Sequence, residues 1–439
     1  MGVSNLTGTS LKVLKVGAIN LFVLVVLVEI ASVGVYRINT GEFFYSRTEV
    51  RANATRAQFD TNFQQVGNDI SINYQLHPYF GYVYRQGYVL GSCPTNNFGF
   101  VSPYDFPFKR TSEDQFLVGI FGGSVATLFS LHELDNHVLV NALQRTSVLH
   151  NKEIVILNFA TAAYKQPQQL LVLNYLLSIG QELDMVINID GFNDVVLSYW
   201  ANKFSVEMSM PPVAVELPLI DLANKDLSPE ELTLTLELLQ SKGQLKNALA
   251  QLDNCRFATC YTFRWVLAKY FFKRYQKGLE AYGQLERNGS SKDSLVQLNR
   301  VEKPLDDSEA YEQIANLWAN ASLAMKELLS AKRILYFHFI QPNQYYMTGR
   351  QFSDEERRIA FDDRLANREA ITKGYPKLLS KVRSLQESGV NVFSAVNIFD
   401  EVKDIVYQDS CCHYNNFGNE IFANFVAGSI TVPLRNSSV

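Results

Sequence analysis

A serine that follows an apolar run and two glycines occupies a position where a hydroxyl can act as a nucleophile. The run FLVGIF, residues 116–121, ends at Gly122, Gly123 and Ser124. Short apolar runs closed by glycine are typical of buried strands in a parallel sheet. Two glycines let the backbone turn sharply, and residues 125–129 can continue as a helix whose N-terminus favours negative charge. The pattern predicts an exposed serine hydroxyl at a strand-to-helix turn, although a serine that only caps the helix fits the same stretch.

Later segments carry the polar groups that such a serine would need. Asn158 and Asn193 each follow a further apolar run, and Asp409 and His413 lie together near the C-terminus. Active groups on a parallel sheet collect at the carboxyl ends of its strands. The sequence therefore predicts that the two asparagines lie at the same edge of the sheet as Ser124.

The order of these segments resembles the SGNH/GDSL hydrolase superfamily, and in particular its membrane-anchored bacterial members. The blocks of that superfamily are named for Ser, Gly, Asn and His, and Ser124, Asn193 and His413 match three of them. Ala163 stands at the position of the block glycine. The stretch is not the G-x-S-x-G elbow of the α/β-hydrolases, because Ala126 replaces the second glycine.

This resemblance implies ester hydrolysis through an acyl-enzyme. Ser124 would attack the acyl carbon, His413 would take its proton and later protonate the leaving alcohol, and Asp409 would hold the imidazole. The oxyanion would be met by the backbone N–H groups of Ser124 and Ala163 and by the Asn193 side-chain amide. Neither a metal nor an organic cofactor is implied.

The acid of this set departs from the usual spacing of the superfamily, in which the aspartate commonly lies three residues before the histidine. Ser410 occupies that position here, and Asp409 lies one residue further away. Asp404 is the other local carboxylate, but residues 405–407 between them look like packed structure. Because a turn can absorb one extra residue, we assign the acid to Asp409.

Three further residues at strand ends are candidates for substrate binding, namely Asn158, Gln341 and Asn343. The last two belong to the segment QPNQY at 341–345, which also resembles the anchored members of the superfamily. His338 alternates within the apolar strand before that segment. We interpret it as a core histidine.

The predicted fold class is α/β. Apolar runs alternate with stretches of helical spacing, which favours a parallel sheet with helices on both faces. The resemblance specifies a three-layer α/β/α sandwich with a central parallel sheet, of the SGNH/flavodoxin-like kind. Predicted strands lie near 117–121, 154–158, 185–190, 334–340 and 390–393, and predicted helices include 131–146, 166–179 and 419–430.

The length of 439 residues allows two or three folded units. Three helical patterns interrupt the alternation in the middle of the chain, and we interpret them as a cap or lid. The predicted segments are a membrane anchor (1–40), an extended lead-in rich in Pro, Gly and Tyr (41–110), the first part of the core (111–200), a helical insertion (201–332) and the second part of the core (333–439).

Residues 16–36 form an apolar stretch long enough to cross a bilayer as a helix. It is long for a signal peptide and lacks a small-x-small cleavage site, so we predict an uncleaved single-pass anchor. Lys12 and Lys15 precede it and favour a cytoplasmic N-terminus, which puts the catalytic domain on the periplasmic or extracytoplasmic side. Glu29 within the stretch is costly for an isolated helix, and it fits either near the far interface or against a partner.

The composition indicates which partners and which cysteine chemistry to expect. A net charge of −4 gives no reason to expect nucleic acid. The five cysteines match no common zinc pattern. Cys255 and Cys260 either pair as a disulfide in an oxidising compartment or remain free buried thiols.

By resemblance, the expected substrate is an acyl ester, in the simplest case acetyl, on cell-surface carbohydrate. Two alternatives remain open. In an O-acyltransferase of polysaccharide modification, a sugar hydroxyl would replace water at the acyl-enzyme, and the triad does not separate this reaction from hydrolysis. A non-catalytic carbohydrate-binding or assembly subunit is the other alternative, and the complete set of side-chain groups argues against it.

Overall fold

The computed structural model of the protein describes residues 6–40, 43–46, 74–212, 229–252, 255–287, 299, 301–362 and 367–436. Part of the predicted lead-in (47–73) and parts of the predicted insertion (213–228 and 288–298) lie outside these described residues.

Strands and helices alternate through most of the described chain. The strands are β1 (Tyr74–His77), β2 (Gly81–Tyr84), β3 (Val89–Leu90), β4 (Cys93–Pro94), β5 (Gln115–Gly122), β6 (Glu153–Asn158), β7 (Met185–Asp190), β8 (Leu335–Ile340) and β9 (Asn391–Ser394). The helices are α1 (Leu6–Thr40), α2 (Ser124–Asn136), α3 (Val138–Gln144), α4 (Gln168–Ser178), α5 (Phe192–Lys203), α6 (Pro229–Ala250), α7 (Ala258–Arg287), α8 (Asp307–Ser330), α9 (Asp354–Ala360), α10 (Asn367–Glu387) and α11 (Asn416–Asn436).

Five of the strands form one parallel sheet in the order β6-β5-β7-β8-β9, which confirms the predicted α/β class with a parallel sheet. The central strand β7 is buried along its whole length, as expected for a strand covered on both faces. The chain begins the sheet at β5, adds β6 on one side, and then builds β7, β8 and β9 on the other. The order therefore reverses between β5 and β7, and a crevice at the carboxyl ends of strands is expected at such a point.

Neighbouring side chains of β8 show that helices cover both faces of this sheet. His338 hydrogen-bonds to Ser322 of α8, whereas the next residue, Phe339, packs its ring against Phe425 of α11. Successive residues of a strand point to opposite faces, so α8 and α11 lie on opposite faces. Helices α4, α5 and α10 pack with α8, and α2 and α3 pack with α11.

The chain forms two compact units. The N-terminal unit combines Met1–Ile72 with Leu217–Val296 and contains α1, α6 and α7. The sheet unit combines Asn73–Glu216 with Gln297–Val439.

This division differs from the predicted insertion at 201–332, because α8 belongs to the sheet unit. The reason lies in the face that α8 buries against its neighbours. Its buried residues recur at helical spacing and include Ala310, Ile314, Trp318, Ala321 and Met325. A helix with such a stripe packs onto a core, and α8 packs onto β8 and α10.

Within the N-terminal unit, α1 packs against the start of α7, and α6 and α7 pair along their lengths. Leu245 of α6 clusters with Ala268 of α7, and Leu238 clusters with Tyr275. The two helices are therefore antiparallel. Cys255 and Cys260 are joined by a disulfide, which ties a residue shortly before α7 to the first turn of that helix.

Among the described residues, one helix is long and apolar enough to cross a membrane. It covers Lys15–Ile38 within α1 and has a mean hydropathy of 2.4. By length and composition, such a helix near the N-terminus is compatible with a membrane anchor or with a signal sequence.

Residues 74–110 of the lead-in belong to the sheet unit. They form two short antiparallel pairs, β1 with β2 and β3 with β4. Tyr82 and Tyr84 of β2 are buried. Their contacts bear on the candidate site.

Candidate active site

Ser124 is the first residue of α2 and directly follows the turn after β5. Gly122 has φ 141°, and a Cβ atom there would lie 2.0 Å from the carbonyl oxygen of Ile189, so only glycine fits this turn. Gly123 holds the N-cap position of α2, so the Ser124 side chain does not serve as its N-cap. The hydroxyl is half-buried at a helix N-terminus, where negative charge is favoured.

Ser124, His413 and Asp409 form a continuous chain of hydrogen bonds. The Oγ atom of Ser124 lies 2.7 Å from Nε2 of His413. The other ring nitrogen, Nδ1, lies 2.5 Å from Oδ2 of Asp409. This is the arrangement in which an imidazole can take a proton from the serine while the carboxylate fixes its tautomer.

The loop before His413 wraps around the Asp409 carboxylate. Its second oxygen, Oδ1, accepts the backbone N–H groups of Cys411, Cys412 and His413 at 2.9, 3.1 and 3.3 Å. This tight loop absorbs the extra residue that the sequence places between the acid and the base. Asp404, the alternative carboxylate, is exposed, and Asp409 is the residue at the ring.

Burial opposes charge on both members of this pair, but their mutual interactions outweigh it. Burial raises the pKa of Asp409, yet the charge of His413 and hydrogen bonds from its ring and from the loop backbone hold the pKa below its ordinary value. Burial lowers the pKa of His413, yet the charge of Asp409 and the hydrogen bond to it raise the pKa to about 9. The imidazole is therefore a strong base when neutral, and it is largely protonated in the resting protein at neutral pH.

Asn193 brings a neutral donor beside the serine. Its Nδ2 atom donates to the carbonyl oxygen of Tyr164 at 3.0 Å. A Cβ atom at Gly123 would lie only 2.2 Å from that nitrogen, so glycine at 123 makes room for the amide. An amide nitrogen carries two protons. Its second proton can meet an oxyanion.

Ala163, at the position where the resemblance expects glycine, adopts a backbone conformation that glycine favours. Its φ is 63°, in the left-handed region that favours glycine. Tyrosines of β2 hold the adjoining loop, since the Tyr82 hydroxyl donates to the Ala162 carbonyl at 3.0 Å and Tyr84 accepts from the Ala162 N–H at 3.4 Å. Tyr164 in turn donates to the Tyr82 carbonyl at 2.6 Å. The lead-in thus positions the predicted oxyanion loop. This role of the lead-in was not predicted from the sequence.

The QPNQY segment holds the loop that carries His413. Three consecutive side chains of the segment each donate to a backbone carbonyl of that loop. The pairs are Asn343 with Cys411 at 3.2 Å, Gln344 with Asp409 at 3.2 Å and Tyr345 with Ser410 at 2.9 Å. Asn343, predicted as a substrate-binding residue, therefore has a positioning role in this structure.

The other two predicted substrate-binding residues are also buried. Asn158 donates to the Val101 carbonyl at 2.9 Å, and its oxygen accepts the Ala160 N–H at 3.0 Å, so its side chain fixes the loop after β6. Gln341 differs, because its Nε2 atom has no hydrogen-bond partner within the described part of the chain. Gln341 is thus the one of the three whose side-chain nitrogen has no partner among the described residues.

The two cysteines of the loop are the only described groups that, with His413, place three potential metal ligands close together. Their ligand atoms and those of His413 lie within 4.8 Å of one another. Both ring nitrogens of His413 are engaged by Ser124 and Asp409, however. Burial and the neighbouring Cys411 raise the pKa of Cys412 well above its ordinary value, so that thiol stays protonated at neutral pH. Both ring nitrogens of His413 therefore already have protein partners in this cluster.

The two acids that flank Asn193 have separate partners. Asp194 accepts the backbone N–H groups of Gln166 at 2.7 Å and Gly191 at 3.1 Å, and so links the loop of Asn193 to the start of α4. Asp190 lies 2.8 Å from Nε2 of His338.

Comparisons with known proteins identify no relative of this chain. No protein-family model matches it, and no curated protein matches its sequence. A functional assignment therefore rests on the motifs and on the geometry of the site.

Proposed function

We propose that this protein is a serine esterase of the SGNH/GDSL type that hydrolyses acyl esters. The observation that carries the proposal is the continuous chain from Ser124 through His413 to Asp409, with the Asn193 amide beside the serine. A three-layer α/β/α sandwich of the SGNH/flavodoxin-like kind fits the strand order and the helices on both faces. In that order Ser124 and Asn193 follow β5 and β7, the two strands that flank the reversal.

In the proposed reaction, Ser124 Oγ attacks the acyl carbon while its proton passes to Nε2 of neutral His413. Asp409 stabilises the imidazolium that forms. The oxyanion is met by the second proton of the Asn193 amide and by the backbone N–H groups of Ser124 and Ala163. The imidazolium then protonates the leaving alcohol, and water, activated by the same ring, releases the acid.

The proposed substrate is an acetyl or related acyl ester on cell-surface carbohydrate. Helix α1 would anchor the protein in the membrane through Lys15–Ile38, with the catalytic unit on the extracytoplasmic side. The disulfide between Cys255 and Cys260 supports an oxidising compartment.

The test is hydrolysis of p-nitrophenyl acetate and of an O-acetylated oligosaccharide by the full-length protein and by Ser124→Ala. We expect hydrolysis of both esters by the wild type and none by the variant. If the purified wild type releases no acetate but moves acetyl groups onto an added sugar, the protein is a transferase. Undiminished hydrolysis by Ser124→Ala would remove the serine from the reaction.

A further inference from the structure

A carboxylate within the membrane-length part of α1 is bound to the start of another helix. Glu29 accepts the backbone N–H groups of Ala258 at 2.6 Å and Thr259 at 3.0 Å, and it also accepts the hydroxyls of Thr259 and Tyr45. These N–H groups belong to the first turn of α7, where helical donors have no partner within the helix. Glu29 therefore caps α7, and the helix N-terminus stabilises its negative charge.

The contacts between α1 and α7 determine which part of α1 lies beside the start of α7. Beyond Glu29, the Thr262 hydroxyl donates to the Ser32 carbonyl at 3.4 Å, and the rings of Tyr261 and Tyr36 lie 4.9 Å apart. Contacts advance along both helices in the same direction, so the helices run side by side and parallel. The first turns of α7 thus lie beside the last turns of Lys15–Ile38, the segment long enough to cross a membrane.

Large apolar side chains are exposed on this part of α7 and just before it. Phe257 and Phe263 are each 63% exposed, and Val266 and Tyr270 are more than half exposed. Spacings of three and four residues place Phe263, Val266 and Tyr270 on one helix face. Exposed apolar patches of this kind mark contact surfaces.

The same face becomes basic further along the helix. Lys273 and Lys277 continue the spacing of Tyr270 and are exposed. Aromatic residues concentrate at membrane–water boundaries, and lysines near such boundaries extend toward the interface. The order of apolar, tyrosine and lysine residues is therefore the order from hydrocarbon to head groups.

We propose that the start of α7 is a second membrane contact, in which Phe257, Phe263 and Val266 enter the lipid beside α1. Tyr270 then lies at the level of the head groups, and Lys273 and Lys277 face their phosphates. The occupant is the bilayer itself, because the patch is continuous with the membrane-length helix. The proposal rests on the proposed anchoring of α1, and it gives Glu29 a role as the link between the two membrane contacts.

The test compares two variants, one with a new tryptophan on the patch and one with a new tryptophan far from it. In Phe263→Trp, the fluorescence of the new ring reports whether the patch contacts lipid. Leu236→Trp is the matched control, since Leu236 is 55% exposed on α6 and its neighbour Leu238 packs on Tyr275. Tyr275 lies about 18 Å along α7 from Phe263 at 1.5 Å per residue. Both variants keep the three native tryptophans, so their difference reports the introduced ring.

The full-length variants are reconstituted in vesicles of phosphatidylcholine and phosphatidylglycerol, with and without bromine on the acyl chains. We expect the brominated lipid to remove most of the fluorescence added at position 263 and little of that added at 236. Equal, weak quenching at both positions in protein that resists alkaline carbonate extraction would overturn the contact while keeping the anchor. Extraction of the wild type by carbonate would instead show that α1 does not anchor the protein.

Discussion

The sheet unit contains two Ser–His–Asp chains with nearly the same distances. In the first, His413 lies 2.7 Å from Ser124 and 2.5 Å from Asp409. In the second, His338 lies 2.7 Å from Ser322 Oγ and 2.8 Å from Asp190. The residue types and the separations alone do not tell the two apart.

The surroundings of the two chains distinguish them. His338 and Ser322 are fully buried, and the Asp190 oxygen that meets the ring also accepts the indole N–H of Trp318 at 2.7 Å. The histidine is also turned around, with Nδ1 toward Ser322 and Nε2 toward Asp190. Ser322 lies well inside α8 and not at its N-terminus.

Ser124, the proposed nucleophile, therefore differs from Ser322 in the groups that lie next to it. Ser124 has a helix N-terminus, two glycines without side chains, and an adjacent amide. In the proposed reaction, these groups would make room for an acyl carbon and stabilise the charge that develops on its oxygen. We infer that the second chain stabilises the core, where each buried polar group needs a partner.

The largest expected contrast between carboxylates concerns Asp409. Asp409→Asn keeps an oxygen for the loop N–H groups but loses the charge that holds the imidazolium. Turnover should fall about 10⁴-fold, as for removal of the orienting acid in other triads. Asp404→Asn is the control, because Asp404 is exposed, and it should retain near-normal turnover. The reverse ranking, measured by ester hydrolysis on folded proteins, would move the acid to Asp404.

Loss of the amide should have the next largest effect. Asn193→Ala removes one oxyanion donor and should lower kcat by about 10²–10³ with little change in KM. Steady-state kinetics on p-nitrophenyl acetate measure both constants. A loss smaller than about threefold would remove Asn193 from the oxyanion site.

The pH dependence of ester hydrolysis tests whether His413 is the base. Asp409 outweighs the effect of burial and raises the pKa of His413 to about 9. The neutral ring, which is the form that can accept the serine proton, therefore becomes more abundant as the pH rises toward that value. The value of kcat/KM should increase roughly tenfold per pH unit below that pKa, because kcat/KM reports the free enzyme. In Asp409→Asn the residual rate should reach its plateau at lower pH. A wild-type plateau already reached by pH 7 would contradict this assignment of the base.

The smallest effect should be on stability and should come from the second chain. Ser322→Ala leaves Nδ1 of His338 without its partner and should lower the free energy of unfolding by about 1–3 kcal/mol. Turnover should remain unchanged. Urea unfolding measures the difference, with Ser124→Ala as the control that loses activity and keeps its stability. Lost turnover in a folded Ser322→Ala protein would contradict a purely structural role for the second chain.

Local sequence was sufficient for the strands and for the residues that follow them. The apolar run closed by Gly122 and Gly123 predicted β5 and the turn at Ser124, because both are determined by neighbouring residues. The apolar strand pattern also placed His338 in the core, where the structure has it. The sequence pattern grouped α8 with the insertion, whereas α8 belongs to the sheet unit, because the partners of its buried stripe are distant in sequence.

Long-range support of the site was not predictable in the same way. The bracing of the His413 loop by residues 343–345 joins segments more than sixty positions apart. Tyr82 and Ala162 are eighty positions apart. Such pairs depend on the register of the whole fold, which local sequence does not determine. The same holds for Asn158, since a polar residue at a strand end can bind its own loop, as Asn158 does through the Ala160 N–H.

The most direct test of the central claim is covalent labelling of the folded full-length protein with a fluorophosphonate, followed by mass mapping of the modified peptide. A fluorophosphonate reacts with a serine that a neighbouring base activates and an oxyanion site supports. We predict a single adduct on Ser124, lost in Asp409→Asn under the same conditions, and no adduct on Ser322. An unlabelled Ser124 in folded protein, or an adduct on Ser322 instead, would contradict the account.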